Sequence, residues 1–402
     1  MKPTSAPLAN ACLKITDGTH HSPPIVANGV PYVTAKHIKP DGIRFFDDPW
    51  YVSHQDHAEI YSRCDPKPGD VLYIKDGATT GVAAVNSYDF PFSMLSSVAL
   101  LRPDPEVCDG RYLAAWLNSP RARREYLGSM GGAAIKRLTL AKIKAFRIPL
   151  PSLPEQKRIA AILDAADALR AQRRESIEQL DSLIQATFLE MFGDPVTNPK
   201  GWPEMSLVSL CASADDMRCG PFGTQLRQDE FAQEGVPLWG IKHVNAGFDL
   251  DTDEFVSPDK AKQLALYCIR AGDLVMTRKG TIGNCHVYPS KLREGIMHSD
   301  LLRIRLDGSR AHPVFLSTQL KYSVCVQHQL RVMSPGAVMP GINVTKLKTL
   351  RVLNSSLDLQ TRFASIVESI EQQKVHLKAH LAELDTLFAS LQSRAFNGEL
   401  VA

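Results

Sequence analysis

Residues that could act on a substrate are sparse in this 402-residue sequence. It has no Gly-x-x-x-x-Gly-Lys-Ser/Thr phosphate loop, no Gly-x-Gly-x-x-Gly dinucleotide turn and no His-Glu-x-x-His metal helix. The Asn-Pro-Pro-aromatic tetrad of amino-methyltransferases and the Gly-x-Ser-x-Gly elbow of hydrolases are absent too. His20, His21 and His37, with Asp17 nearby, could ligate a metal, but adjacent histidines in a Pro-rich loop are more often surface residues. We predict no catalytic residue and no metal site, while an enzyme with an unrecognised site stays open.

Side chains that could contact nucleic acid are more abundant. Bidentate Arg–guanine and Asn/Gln–adenine pairs are the commonest base contacts, and Lys, Ser and Thr add others. In the N-terminal half the candidates are Lys36, His37, Lys39, Lys75, Thr79, Thr80, Lys136 and Arg137. In the C-terminal half they are Gln225, Arg227, Lys242, His243, Arg278, Lys279, Thr281 and Lys346. For any single one of them, a surface charge that serves solubility is the alternative.

The sequence repeats itself once, at about half its length. Pro31–Ile38 is echoed by Pro237–Val244, and Gly69–Gly77 by Gly272–Gly280. Leu153-Pro154-Glu155-Gln156 corresponds to Leu357-Asp358-Leu359-Gln360, and Leu180-Asp181-Ser182-Leu183 to Leu384-Asp385-Thr386-Leu387. The four offsets are 206, 203, 204 and 204 residues, so chance similarity is a poor explanation. Lys36 and Lys242, like Lys75 and Arg278, recur in both copies, which favours phosphate contacts over base contacts at these places.

Each copy has a globular lobe followed by a long helix. The lobes show short apolar runs punctuated by Gly, Pro, Asn and Asp, such as 71–74, 82–85, 274–277 and 301–306, with a helical stretch at 112–126. Helical patterns without internal Gly or Pro then run from Pro154 to Phe192 and from about Leu359 to Phe396. We therefore divide the chain into residues 1–150 (first lobe), 151–195 (central helix), 196–356 (second lobe) and 357–402 (C-terminal helix). The Asp residues of the paired Gly69-Asp70 and Gly272-Asp273 are expected to stabilise tight turns.

Both long helices carry a heptad pattern. In the second, the two apolar registers are Phe363, Ile370, Leu377, Leu384, Leu391 and Val367, Lys374, Leu381, Phe388, Ala395. In the first they are Ile159, Ala166, Arg173, Leu180, Thr187 and Leu163, Arg170, Ile177, Ile184, Met191. Such seams are typical of coiled coils, so we predict that the two helices pair antiparallel. Packing of each helix on its own lobe is the alternative, and Lys374, Arg170 and Arg173 are either register devices or partner-docking points.

Charge is distributed unevenly along a chain whose net charge is only +3. Residues 1–150 and 196–356 each carry +4, whereas residues 151–195 and 357–402 carry −3 and −2. This pattern fits lobes that touch phosphate and helices that do not, although the excess is small. The eight scattered cysteines include no Cys-x-x-Cys and favour a cytoplasmic protein with reduced thiols. No apolar run reaches the ~20 residues of a membrane-spanning helix.

The sequence resembles the specificity subunits of type I restriction-modification systems. The residues that carry the resemblance are the run Leu150–Ile159 (Leu-Pro-Ser-Leu-Pro-Glu-Gln-Lys-Arg-Ile), the Phe192-Gly193-Asp194-Pro195 that ends the first long helix, Ile15–His20 followed by Pro23, and Gly220-Pro221-Phe222-Gly223. The paired Gly-Asp strands and the order of lobe, helix, lobe, helix add to it. The resemblance covers essentially the whole chain.

The resemblance implies a fold and a function. The fold is mixed α+β, with two pseudo-symmetric α/β target recognition domains separated by two long helices that form an antiparallel coiled coil. The chain is expected to be non-catalytic: it recognises a bipartite, asymmetric DNA target and directs two adenine methyltransferase subunits to it. S-adenosylmethionine is expected on those partners and no cofactor on this chain, and a motor-nuclease subunit is left open. The alternative is a stand-alone two-lobed DNA-binding or scaffolding protein that self-associates through its coiled coil.

One departure from the family pattern concerns the start of the first lobe. The second lobe opens with Gly201-Trp202-Pro203, but no Trp-Pro precedes the first lobe, which begins near Leu8. We therefore expect its first strand to be absent or to be supplied by residues 396–402.

Overall fold

The computed structural model describes residues 4–128, 137–280, 283–333 and 341–400. Contacts divide the chain into two compact units, one made of Met1–Arg174 with Ala379–Ala402 and the other of Glu175–Lys378. Each unit thus combines one lobe with a part of each long helix. The four-segment division proposed from the sequence groups residues differently and stays a prediction.

The first unit begins with a lobe of short strands and helices. Its strands are β1 (Ser5–Pro7), β2 (Cys12–Asp17), β3 (Val30–Val33), β4 (Ile38–Lys39), β5 (Gly42–Ile43), β6 (Tyr51–Val52), β7 (Val71–Ile74), β8 (Ala83–Val85), β9 (Ser93–Met94), β10 (Val98–Pro103) and β11 (Arg147–Pro149). Its helices are α1 (His54–Arg63), α2 (Gly110–Leu117), α3 (Pro120–Leu127) and α4 (Leu140–Ala145), and the long α5 (Leu153–Phe192) follows.

The second lobe repeats this order with small additions. Its strands are β12 (Glu204–Ser206), β13 (Met217–Cys219), β14 (Phe231–Ala232), β15 (Val236–Trp239), β16 (Phe255–Val256), β17 (Cys268–Ile269), β18 (Leu274–Thr277), β19 (Cys285–Val287), β20 (Gly295–Met297), β21 (Leu301–Ile304) and β22 (Arg351–Leu353). Its helices are α6 (Ile241–Asn245), α7 (Pro258–Gln263), α8 (Pro313–Tyr322), α9 (Val324–Met333) and α10 (Val344–Lys348), followed by the long α11 (Leu357–Asn397).

The four-stranded sheets of the two lobes match strand for strand, and their second sheets share a core of three strands. An antiparallel four-stranded sheet has the order β2-β10-β7-β8 in the first lobe and β13-β21-β18-β19 in the second. A second sheet is β6-β3-β9 in the first lobe and β14-β16-β15-β20-β17 in the second; β3 pairs with β9, and β15 with β20, in parallel. The predicted mixed α+β fold with two related lobes is confirmed.

The four-stranded sheet is buried on both faces, which explains its continuous apolar runs. In β7, Val71 and Tyr73 join one core cluster while Leu72 and Ile74 join another. Alternate residues of a strand point to opposite faces, so an apolar side chain is required at every position when both faces are covered.

The first strand of the first lobe is present, and the expectation that it is absent or supplied by the C-terminus is wrong. β1 pairs with β11 in the same antiparallel manner as β12 pairs with β22. The C-terminal residues instead pack as a helix end, with Phe396 buried against Trp116 at a ring separation of 5.0 Å. The helical stretch predicted at 112–126 is also broken, because Ser119 caps a new helix that starts at Pro120.

The long helices pair antiparallel, as predicted. The C-terminal half of α5 packs against the N-terminal half of α11 in an apolar cluster of Ile184, Phe188, Phe192, Phe363, Val367 and Ile370. In the other unit the N-terminal half of α5 packs near the C-terminal end of α11, where Ile159, Leu163 and Phe396 share one core. At ~1.5 Å per residue, helices of 40 and 41 residues are each about 60 Å long.

Two of the three charged interruptions of the seam, Lys374 and Arg170, form ion pairs between the helices. Lys374 lies 2.8 Å from Asp181 and 2.9 Å from Glu371. Arg170 lies 2.6 Å from Asp385 and also contacts Asp167. The two groups correspond residue by residue: Lys374 matches Arg170, Asp181 matches Asp385 and Glu371 matches Asp167, each at an offset of 204. The interruptions therefore act as matched register devices, one in each unit.

In the described parts of the chain, no helix is both long and apolar enough to cross a membrane.

Candidate nucleic-acid interface

The four-stranded sheet of each lobe has two chemically different ends. In the first lobe β2 and β7 finish, and β8 and β10 begin, at one end, which we call the loop end. In the second lobe β13 and β18 finish, and β19 and β21 begin, at the equivalent end. Because the strands are antiparallel, the turns that follow these termini share one edge of each lobe.

The opposite end holds the predicted Gly-Asp turns. Asp70 accepts a hydrogen bond from the backbone N–H of Lys67 at 2.8 Å and a bidentate pair from Arg102 at 2.9 Å each. In the same arrangement, Asp273 accepts from the backbone N–H of Arg270 at 2.9 Å and a bidentate pair from Arg305 at 2.7 Å each. The structural role predicted for these aspartates is confirmed. Their arginine partners, 203 residues apart, were not anticipated.

This opposite end is also where each long helix is attached. Gln156 accepts from the backbone N–H of Asp109 at 3.0 Å and donates to the carbonyls of Val107 and Pro151. Gln360, the matched residue, accepts from the backbone N–H of His312 at 2.8 Å. Both glutamines are buried. The helix attachment lies at this end of the sheet, and we therefore take the loop end as the candidate surface for DNA.

Three of the predicted contact residues are buried in this structure. His37 and His243 are 1% and 0% exposed, and their Nδ1 atoms accept from the backbone N–H of Thr34 and Gly240, both at 2.9 Å. Burial lowers the pKa of both imidazoles, which favours the neutral form. Lys75 is 3% exposed and lies 3.3 Å from Asp17. All three side chains are buried and held by neighbouring groups in this conformation, and their assignment to DNA contacts stays a prediction. Thr80, considered with them, is buried as well.

Lys36 and Lys242 are matched in structure as well as in sequence. Each forms an ion pair of 2.6 Å, Lys36 with Asp48 and Lys242 with Asp253. Lys36 also lies over the ring of Trp50, 3.5 Å from its centroid. The two lysines are partly exposed beside carboxylates, so their assignment to phosphate contacts stays a prediction.

Several other candidates lie near the loop ends. Arg137 is 3.4 Å from Asp76 in the first lobe, and Lys279 is 2.7 Å from Asp300 in the second. Thr79 is exposed in the turn between β7 and β8. Arg278 follows β18 and donates to the carbonyl of Ser299. Lys136 and Thr281 lie outside the described residues.

The remaining candidates are exposed at more varied places. Lys39 is at the end of β4, and Lys346 is in α10. Gln225 accepts from the hydroxyl of Tyr267 at 2.9 Å and from the backbone N–H of Phe222 at 3.0 Å. Arg227 pairs with Asp229 at 2.7 Å. None of these contacts tests whether the side chains touch DNA.

Two loop-end side chains were missed by sequence reasoning. Arg63, at the end of α1 in the first lobe, forms an ion pair with Asp17. In the second lobe, the ring of Phe222 lies under Arg278, whose guanidinium carbon is 4.8 Å from the centroid of that ring. Only the fold brings Arg63 to β2, because 46 residues separate it from Asp17. Among the described residues, no group of three or more His, Cys, Asp or Glu could hold a metal ion.

Comparison with known proteins gives a consistent result. The family described as "Type I restriction modification DNA specificity domain" matches residues 23–179. The type I restriction enzyme EcoKI specificity subunit of Escherichia coli K12 is 23% identical over 356 residues, covering 83% of this chain and 75% of the relative. The MjaIX specificity subunit of Methanocaldococcus jannaschii is 19% identical over 309 residues, covering 71% of this chain and 68% of the relative.

Solved structures support the same fold. The S subunit of a type I restriction-modification system from M. genitalium superposes with a TM-score of 0.58 at 16% identity, covering 98% of this chain and 99% of that one. A chain from a structure describing assembly and conformational transition of a type I system gives a TM-score of 0.59 at 19% identity, covering 99% and 98%. Together with its duplicated lobes and paired long helices, these comparisons show that the chain is similar in sequence to type I restriction-modification specificity subunits and shares the fold of their solved structures.

Proposed function

We propose that this chain reads a bipartite, asymmetric sequence in double-stranded DNA, with one lobe for each half. As a specificity subunit it is the non-catalytic DNA-recognition component of its system. The observation that carries the proposal is that both lobes share one framework but carry different side chains on it. A shared framework would dock both lobes in the same manner, and different side chains would select different bases.

The framework positions are held by equivalent contacts in the two lobes. The buried Gly-Asp turn, its bidentate arginine, the histidine that caps a helical turn and the glutamine that anchors the long helix recur in each lobe. At the loop end, by contrast, the half-exposed Arg63 of the first lobe corresponds to Tyr267 of the second, and the half-exposed His20 to Phe222. Conserved geometry with diverged surface chemistry is what two half-sites of different sequence require.

We further propose that the paired helices recruit two DNA adenine methyltransferase subunits, one for each unit. Supporting features are the matched ion pairs of the seam and the matched Leu183 and Leu387, which are 47% and 48% exposed. S-adenosylmethionine would bind to those partners, and a motor-nuclease subunit would complete a restriction complex. Cytoplasmic localisation is part of the same proposal. Self-association through the seam is less well supported, because both units already use seam residues for internal packing.

Co-expression tests the proposal directly. The chain would be produced with an adenine methyltransferase encoded beside it in a host that lacks the system, and methylated adenines would be mapped across the host genome. We expect a single motif made of two different half-sites separated by a fixed spacer, and co-purification of the methyltransferase. Expression of the methyltransferase alone is the control. Absence of a bipartite motif, or a motif obtained without this chain, would refute the proposal.

A further inference from the structure

A compact charged cluster occupies the loop end of the first lobe. Asp17, the last residue of β2, has a side chain only 3% exposed, and it lies 2.5 Å from Arg63, 3.3 Å from Lys75 and 3.5 Å from His20. Lys75 is also buried, whereas the side chains of Arg63 and His20 are about half exposed. The buried carboxylate of Asp17, paired with the buried ammonium of Lys75, thus holds the half-exposed guanidinium of Arg63 at the surface.

The loop end of the second lobe carries an open cavity instead. Its volume is about 410 Å³, and its lining includes Cys219, Phe222, Tyr267 and Arg278. The guanidinium of Arg278 stacks on the ring of Phe222, which is 53% exposed. The Arg278 guanidinium donates to the carbonyl of Ser299 at 3.3 Å, and among the described residues no ion pair joins it to a carboxylate, whereas Arg63 is bound to Asp17. A cation on an aromatic ring is oriented without being neutralised.

These two sets occupy the same four positions of the repeated framework. Asp17 corresponds to Cys219 and His20 to Phe222 at an offset of 202, Arg63 to Tyr267 at 204, and Lys75 to Arg278 at 203.

The alignment at this point is fixed by a close backbone approach in both lobes. A Cβ on Gly18 would lie 1.9 Å from the carbonyl oxygen of Met94, and one on Gly220 would lie 2.1 Å from that of His298. Both positions therefore require glycine, and they hold the chain in the same place immediately after β2 and β13.

We propose that these four matched positions determine the base specificity of each lobe, and that the oriented arginine of each set reads a G·C base pair. The arginine is Arg63 in the first lobe and Arg278 in the second. The recurrence of Lys75 and Arg278 favoured a phosphate contact for both, but Lys75 is buried against Asp17, so the two matched side chains are not equivalently placed and the recurrence argument does not apply to Arg278. This inference rests on the proposed function and adds to it which residues read which base. Guanine presents two acceptors on its major-groove edge that match the guanidinium fork, and a side chain oriented before binding loses less entropy on contact.

The two lobes reach this arrangement by different means. In the first, the Asp17 carboxylate accepts from Arg63 through Nη2, which leaves the other donors of the guanidinium available to a base. In the second, the Arg278 guanidinium lies over the ring of Phe222, and both side chains line the cavity together with Tyr267, whose hydroxyl donates a hydrogen bond of 2.9 Å to the side-chain carbonyl of Gln225. The arginines come from α1 in one lobe and from the end of β18 in the other, so the two G·C pairs need not lie at equivalent places of their half-sites.

The test uses the methylated motif of the complete co-expressed complex. Arg63→Lys and Arg278→Lys keep the charge but remove the planar fork. We expect each variant to lose about tenfold of its preference for guanine at one position of one half-site, while the other half-site stays unchanged. Arg310→Lys is the matched control, because Arg310 hydrogen-bonds to the carbonyls of Ser209 and Cys211 beyond the other end of β21.

The outcomes separate this inference from the proposed function. An unchanged motif in both variants overturns the inference and leaves the proposed function intact, whereas a wild-type complex without a bipartite motif contradicts the proposed function itself. A variant that relaxes both half-sites, or a position other than G·C, also overturns the inference. If Arg278→Lys does not fold, Phe222→Leu replaces it, because loss of the ring removes the same orientation and must relax the same position.

Discussion

The charged residues within the helical seam lead to an asymmetric prediction. Asp181→Ala should destabilise the protein more than Lys374→Met, although the two substitutions break the same ion pair. The asymmetry follows from burial, because the Lys374 side chain is 11% exposed, whereas those of Asp181 and Glu371 are 43% and 50% exposed. Burial acts to lower the pKa of Lys374, but hydrogen bonds to Asp181 and Glu371 outweigh it and leave that pKa raised.

The magnitudes follow from which group is left without a partner. After Lys374→Met, both carboxylates can be hydrated and the methionine fills the seam, so we expect a change in unfolding free energy of less than about 1 kcal/mol. After Asp181→Ala, the mostly buried ammonium keeps only Glu371, and we expect a loss of about 1–2 kcal/mol. The double variant should lie close to Lys374→Met alone, with a coupling energy on the order of 1 kcal/mol.

Urea unfolding followed by far-ultraviolet circular dichroism at pH 7.5 measures these differences. Lys378→Met is the control, because Lys378 is 53% exposed in its ion pair with Asp249 and should contribute less than about 0.5 kcal/mol. The matched Arg170 and Asp385 pair should show the same order of effects in the other unit. If Lys374→Met costs more than Asp181→Ala, or if the cycle shows no coupling, the burial argument is wrong.

Three further predictions concern the framework and the charged surface. Gln156→Ala and Gln360→Ala should each cost about 2–3 kcal/mol of unfolding free energy, measured by urea denaturation, because buried backbone groups lose their partners. Lys242→Ala should weaken binding to all DNA sequences and reduce the slope of log binding constant against log salt concentration by about 0.9, whereas Asp253→Ala, which removes its ion-pair partner, should strengthen binding. Fluorescence anisotropy at several salt concentrations measures both effects. An unchanged slope for Lys242→Ala would contradict its assignment to a phosphate contact. Burial, with nearby lysines, lowers the pKa of His286 to about 4. As the pH falls, the unfolded chain therefore takes up a proton at this histidine before the folded chain does. The free energy of unfolding should decline between about pH 6.5 and 4 by at most about 3 kcal/mol, and His286→Asn should reduce that decline.

Much of the architecture was predictable because it is encoded locally. Heptad spacing located α5 and α11 to within one or two residues at either end, and repeated motifs revealed the duplication. The Gly-Asp turns were recognisable because an aspartate there bonds to the backbone three residues away. Such signals involve residues that are close in the chain, so one sequence is sufficient to detect them.

The candidate interface was predicted less well, because exposure depends on distant residues. His37, His243 and Lys75 have side chains suited to DNA, yet the fold buries all three. Arg63 was overlooked because only the fold brings the end of α1 to Asp17, the last residue of β2. Residue type and spacing do not report burial when the covering residues lie tens of positions away.

By itself, the sequence determined that the chain contains two related lobes, two long helices with apolar seams, and the motifs of a specificity subunit. These features depend on periodicity and on side chains adjacent in the chain. Only the tertiary structure decided that Lys374 and Arg170 are register ion pairs, and that Asp17 gathers Arg63, His20 and Lys75 at one sheet end. The physical reason is that ion pairing and burial are set by three-dimensional proximity, which the folded backbone creates between residues far apart in sequence.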